Sequence, residues 1–154
     1  MSGIRIEQAY PQPPAIVWRA LTDPALIPRW TATGAGARPV GFSTTVGTQF
    51  QFIADPKPGW DGVVNCTMLE AREPTVLRFT WTDNAGGDQT EVAYRLEPAS
   101  GGTRLLYEHT GFTGIGGYFM ARLLGRIRRT MLRKGLPPVL ADLDAQSSRP
   151  VSEG

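Results

Sequence analysis

The chain is poor in the residues on which most chemistry relies. Its 154 residues include one cysteine, Cys66, and one histidine, His109. A lone cysteine excludes an internal disulfide framework and favours a reducing compartment. With no paired-cysteine or histidine-rich spacing, there is no zinc-ligand pattern either. Charge is sparse and nearly balanced, at 19% of residues and a net +2, too little to argue for nucleic acid. No stretch reaches the roughly 18 apolar residues of a membrane span. Met1 runs into Ile4-Arg5-Ile6 without the apolar stretch of an export signal. These absences set the expectation of a cytoplasmic protein with no cofactor, no metal, no membrane span and no nucleic-acid partner.

Gly-rich motifs are equally uninformative for nucleotides. Gly34-Ala35-Gly36 and the Gly114, Gly116, Gly117 set both lack the strand–turn–helix context of a dinucleotide fingerprint. No nucleophile-elbow signature is present.

What the chain does contain is the material of a globular domain. Hydrophobic residues make up 41% of it, and its 18 glycines and 13 prolines read as turns. The length suits one domain, expected over residues 1–146, with 147–154 a frayed tail. Ile4 to Tyr10 alternates as a half-buried strand does. Pro11, Pro13 and Pro14 end it and open a helix with Val17, Ala20 and Leu21 on one face. Asp23-Pro24 reads as the cap and first position of a second short helix that runs to about Trp30. Thr31 to Val46 reads mostly as loop.

Alternating segments follow. Phe50 and Phe52, then Val63 to Glu70, then Leu77, Phe79 and Trp81, then Val92, Tyr94 and Leu96, then Leu105, Tyr107 and His109 are each separated by turn residues. Short turns make such strands antiparallel. Their aromatic face must be covered, and the one long helical segment left is C-terminal. It is expected from about Ile115, with Met120, Leu123, Leu124, Ile127 and Met131 as the stripe that meets the sheet. Gly135 and Pro137-Pro138 are expected to break or kink it, with a shorter helix over Val139 to Gln146.

Four segments carry a resemblance. "PPAIVWRALTDPALIPRW" (13–30), "VGTQFQF" (46–52), "MLEAREPTVLRFTW" (68–81) and "GGTRLLYEHTGF" (101–112) stand in the order found in the START-like helix-grip superfamily. They are most similar to its branch named for activators of the heat-shock-protein ATPase, the Aha-type domain. The resemblance covers about residues 4 to 145. It implies an α+β helix-grip fold: a curved antiparallel sheet wrapped around a long C-terminal helix, with two short helices after the first strand. It also implies a cavity between sheet and helix. Members bind or process lipids, polyketides and plant metabolites, while others only contact proteins. The lone Trp30, the small-residue loop after it and the double proline depart from the family's pattern.

The residues expected to line such a cavity are Phe50, Phe52, Phe79, Trp81, Tyr94, Tyr107, His109, Tyr118, Phe119 and Leu123. His109 is the one weak catalytic candidate, since its ordinary pKa near 6.5 suits proton transfer. Glu108 points to the other face and cannot assist it. Cys66, between Val64 and Met68, reads as a buried apolar side chain. Trp30 and Trp60 read as local anchors or as gates of a pocket mouth. Arg122, Arg126, Arg128, Arg129, Arg133 and Lys134 read as a solvated basic face. The leading expectation is a binder of a small hydrophobic molecule such as a lipid, polyketide or aromatic metabolite. A protein-interaction module and a cyclase- or dehydratase-like enzyme are the alternatives, and the oligomeric state is left open.

Overall fold

The computed structural model describes residues 2–31, 37–56, 58, 61–83 and 89–148. Seven antiparallel strands form one sheet in the order β1-β7-β6-β5-β4-β3-β2. They are β1 (Ser2–Tyr10), β2 (Arg38–Val40), β3 (Gln49–Ile53), β4 (Val63–Arg72), β5 (Val76–Asp83), β6 (Thr90–Ala99) and β7 (Gly102–Phe112). Two short helices, α1 (Pro14–Thr22) and α2 (Ile27–Thr31), follow β1. A helical segment closes the chain as α3 (Gly114–Thr130), a π-turn (Met131–Gly135) and α4 (Leu136–Ser148). The sheet curves around this segment, so the expected α+β helix-grip architecture is what the chain adopts.

Period-two patterning sets which side chains face the helix. Val92, Tyr94 and Leu96 on β6 stand beside Leu105, Tyr107 and His109 on β7, and Ile4 and Ile6 on β1 continue the same face. On β4 the alternation slips between Met68 and Glu70, so Met68 and Ala71 both join the core while Glu70 turns out to Arg72 and Arg78. A bulge of this kind inserts one residue and shifts the faces of those that follow.

Two local expectations are corrected. The segment read as loop after Trp30 contains β2, whose Pro39 faces Phe52 across the β3 pairing. Helix α2 starts at Ile27 rather than at Pro24. Asp23 accepts the Ala25 N–H at 2.9 Å with its side-chain oxygen, but this bond belongs to the turn over 24–26 and not to the start of α2.

The double proline does not stop the C-terminal segment. At the π-turn the Leu136 N–H reaches back to the Met131 carbonyl, one residue further than in an α-helix. That leaves the Leu132 carbonyl without Leu136, and the next residue, Pro137, has no N–H to offer. The hydroxyl of Tyr10 supplies the missing donor at 2.7 Å. Leu132, Leu136, Leu140 and Leu143 are buried in consequence, in the same core as Val17, Leu21 and Trp30 of the short helices. The π-turn and α4 thus close one end of the grip. Helix α3 leans on β1 and β7 at the other.

Candidate functional site

The sheet's concave face carries a continuous row of rings. Phe50 lies 5.5 Å from both Phe52 and Phe79, centre to centre, and Phe52 lies 6.2 Å from Trp81. Phe79 leads to Tyr94 at 6.4 Å, and Tyr94 to Tyr107 at 5.1 Å. His109 closes the row 5.4 Å from Trp81. Seven of the residues expected from sequence are therefore brought together by β3, β5, β6 and β7. Two further rings join them without having been foreseen: Phe42, from the stretch after β2, 5.0 Å from Phe50, and Phe112, 4.6 Å from His109. Phe112 turns inward because Gly111 takes a positive φ of 102°, which resets the alternation of β7.

His109 is 1% exposed and both of its ring nitrogens are occupied. Thr90 donates its hydroxyl hydrogen to the Trp81 carbonyl at 3.1 Å, so its oxygen must accept from Nε2–H of His109, 2.7 Å away. Nδ1 is then the acceptor, and the Tyr107 hydroxyl donates to it at 3.4 Å. Burial, then the nearby Arg128 charge, push the imidazole down to about 3, so it is neutral at ordinary pH. A base this weak, with both nitrogens engaged, is poorly placed to take a substrate proton. Burial also raises the Tyr94 and Tyr107 hydroxyls above their ordinary pKa, which keeps them protonated.

Arg128 corrects the reading of the basic face. Its guanidinium carbon sits 5.3 Å from the centre of the Tyr107 ring and 5.8 Å from that of Trp81, within cation–π range of both. Its charge lies beside the Tyr107 hydroxyl, and it donates to the sulfur of Met131 at 3.4 Å. Arg122, Arg126, Arg129 and Arg133 are exposed, as the solvated reading requires. The signal that separates Arg128 from them was in the spacing. It stands four residues after Leu124 and three before Met131, on the side of the helix that meets the sheet.

Helix α3 is also rotated relative to expectation. Ala121 and Gly125 are its buried residues, and the Gly125 backbone approaches Ile4 of β1 closely enough that an added Cβ would lie 3.6 Å from it. Small residues permit that close packing, and the larger ones turn away. Tyr118 is 44% exposed, Phe119 65%, Leu123 53% and Ile127 40%. Tyr118, Phe119 and Leu123, expected in the cavity, stand on the outer part of α3, and Leu123 and Ile127 leave the sheet-facing stripe to Met120, Leu124 and Met131.

The remaining candidates are structural in their surroundings. Cys66 is buried, and burial pushes its thiol well above the ordinary range, which removes nucleophilic character. Trp30 is buried and its indole N–H donates to the Ala20 carbonyl at 2.8 Å, so it anchors α2 to α1. Trp60 lies outside the described residues. Glu108 faces outward to Arg5 and Arg95 at 3.6 and 3.8 Å. Among the described residues no three His, Cys, Asp or Glu side chains gather as a metal site, and no helix is long and apolar enough to cross a membrane.

The fold recurs in solved structures. Protein MLL2253 from Mesorhizobium loti superposes with a TM-score of 0.74 at 26% identity, over 96% of this chain and 99% of that one. An HSP90 activator from Plasmodium falciparum, PFC0360w, gives 0.65 at 18% identity, over 94% and 97%. DynU16, a protein in the dynemicin biosynthetic locus, gives 0.64 at 21% identity, over 89% of this chain and 49% of its own. No curated protein matches the chain in sequence. Residues 11–120 match the family model described as Activator of Hsp90 ATPase homolog 1-like protein, and with most of its length inside that match the chain belongs to this family.

Proposed function

We propose that the protein binds a small hydrophobic molecule, a lipid, polyketide or aromatic metabolite, between the concave face of the sheet and the C-terminal helical segment. The observation that carries this is a mismatch of coverage. The aromatic row extends to β3 and Phe42, whereas α3 packs on β1 and β7, at the other side of the sheet. Phe42, Phe52 and Trp81 are accordingly only partly buried, although they continue a row whose other members are fully so. Aromatic surface beside a few convergent polar groups is the usual character of a small-molecule site. A binder rather than an enzyme fits His109, whose nitrogens are used inside the fold. The occurrence of a related fold in a biosynthetic locus agrees with such a ligand.

The test is a thermal-shift screen against fatty acids, sterols, flavonoids and aromatic polyketides. A ligand at a hundred times its dissociation constant adds about 2.7 kcal/mol. For a domain of this size the midpoint then rises by about 5–10 °C. A saturable rise for one class supports the reading, and a flat response across all four classes counts against it.

A protein-interaction role is the second reading, favoured by the exposed Phe119, Leu123 and Ile127 between the arginines of α3. It requires a partner whose affinity falls when Phe119 and Leu123 are changed to Ser, and whose binding is indifferent to changes at Phe52.

A further inference from the structure

We propose that the molecule taken up on the concave face bears a carboxylate, and that Arg128 receives it together with the indole N–H of Trp81. The inference rests on the binding role argued above and names the chemistry of the ligand.

The first ground is an arginine without a counter-ion. The ion pairs of the described residues join Arg5, Arg29, Arg72, Arg78, Arg95 and Arg104 to acids elsewhere on the molecule, and none involves Arg128. A guanidinium has five N–H donors. Its one described acceptor is a thioether sulfur, which accepts only weakly. Its other neighbours are ring faces. Arg128 is half-buried, and withdrawing a charge from water even in part costs stability unless it is paired. An arginine kept in this position therefore needs a reason beyond packing.

The second ground is independent of the first. Trp81 Nε1 is buried and has no acceptor among the described residues. Buried indole N–H groups ordinarily find a partner. This orphaned donor belongs to one of the two rings that the Arg128 guanidinium overlies.

The third ground is the sense of the polar chain. Tyr107 donates to His109, His109 to Thr90, and Thr90 to the Trp81 carbonyl, with the Arg128 guanidinium over the Tyr107 ring at the head of the chain. These bonds all run towards the Trp81 carbonyl, and the donors left over are those of Arg128 and of the Trp81 indole. A group that only accepts, carries negative charge and is planar enough for the guanidinium fork satisfies both orphaned donors at once. A carboxylate on a hydrocarbon or aromatic skeleton does so while its body lies along the ring row.

The experiment measures affinity by calorimetry for two acids, dodecanoate and 2-naphthoate, each against the primary amide of the same skeleton. The wild-type protein is expected to bind at least one acid tenfold or more tightly than its amide, and which acid it is separates a fatty chain from an aromatic skeleton. In Arg128→Met the acid is expected to lose that advantage while the amide stays within twofold. Arg128→Lys should keep part of it, because charge survives and the planar fork does not. Trp81→Phe should weaken the acid severalfold with the ring row intact. The thermal midpoint of unliganded Arg128→Met is expected to equal or exceed that of wild type, since an unpaired charge has been removed. Equal affinity for acid and amide in wild type overturns the inference and leaves the hydrophobic site standing. So does an acid preference that survives Arg128→Met, or a lowered midpoint in that variant with unchanged ligand preference, which makes the guanidinium structural. Absence of binding by all four probes overturns the carboxylate assignment and counts against the binding role with it.

Discussion

The backbone carbonyl of Trp30 occupies the space where a side chain on Gly135 would begin. Helix α2 and the π-turn can approach this closely only because residue 135 has no Cβ. Gly135→Ala is therefore expected to force the two apart and to cost about 1–3 kcal/mol, the range for overpacking a tight contact. Urea denaturation measures it, and a loss below about 0.5 kcal/mol would show that the junction yields freely.

Tyr10→Phe removes the hydroxyl that satisfies the Leu132 carbonyl and leaves the ring in place. The expected loss is about 1–2 kcal/mol, that of a buried hydrogen bond whose remaining partner is stranded. If stability is unchanged, the carbonyl has found another donor and the π-turn does not depend on β1.

His109 should make stability depend on pH in a defined direction. Its pKa is about 3 in the folded protein and near 6.5 when unfolded. Between those values the unfolded chain binds the extra proton, so stability rises with pH and falls as pH drops from about 6.5 towards 3. The slope from this one group approaches about 1.4 kcal/mol per pH unit. His109→Gln has no such titration, and the difference between its pH profile and that of wild type isolates the term from the carboxylates. Parallel profiles would refute the assignment.

The outward placement of Leu123 has a simple check. Leu123→Ala should change stability by no more than about 0.5 kcal/mol, as surface substitutions do. Leu132→Ala, at a fully buried position, should cost about 2–5 kcal/mol. Similar losses at both positions would mean that α3 is packed the way its hydrophobic periodicity first suggested.

Those two leucines also mark how much could be read from the residues. The strands were legible because Leu77, Phe79, Trp81 and their counterparts alternate without interruption, and period two fixes both the element and its buried face. The ring row followed directly from that. The helix was harder, because hydrophobicity alone chose Leu123 and Ile127 for the core. Close packing on β1 instead selected the small residues Ala121 and Gly125 and carried Arg128 inward with them. A bulk-weighted stripe cannot register a preference for the absence of bulk. The double proline was expected to break or kink the helix, and the α-helical run is interrupted just before it by the π-turn Met131–Gly135. Pro137 removes a donor, and the compensating one sits on Tyr10, 122 residues away. Short β2 was missed because its three residues carry almost no alternation, and its neighbour β3 holds it in place.

The pairing of β1 with β7 shapes how the protein must be made. Among the described residues β7 is the sole neighbour of β1 in the sheet, with Ser2 opposite Phe112 and Tyr10 opposite Thr103. Translation releases Ile4, Ile6 and Tyr10 long before their partner strand is synthesised. The apolar first strand must wait through the making of five others, and the Tyr10 lock waits longer still. Closure of this side of the sheet thus awaits the synthesis of β7. A chain interrupted before Gly102 keeps an adhesive strand with nothing to pair with, a natural substrate for a chaperone or a protease.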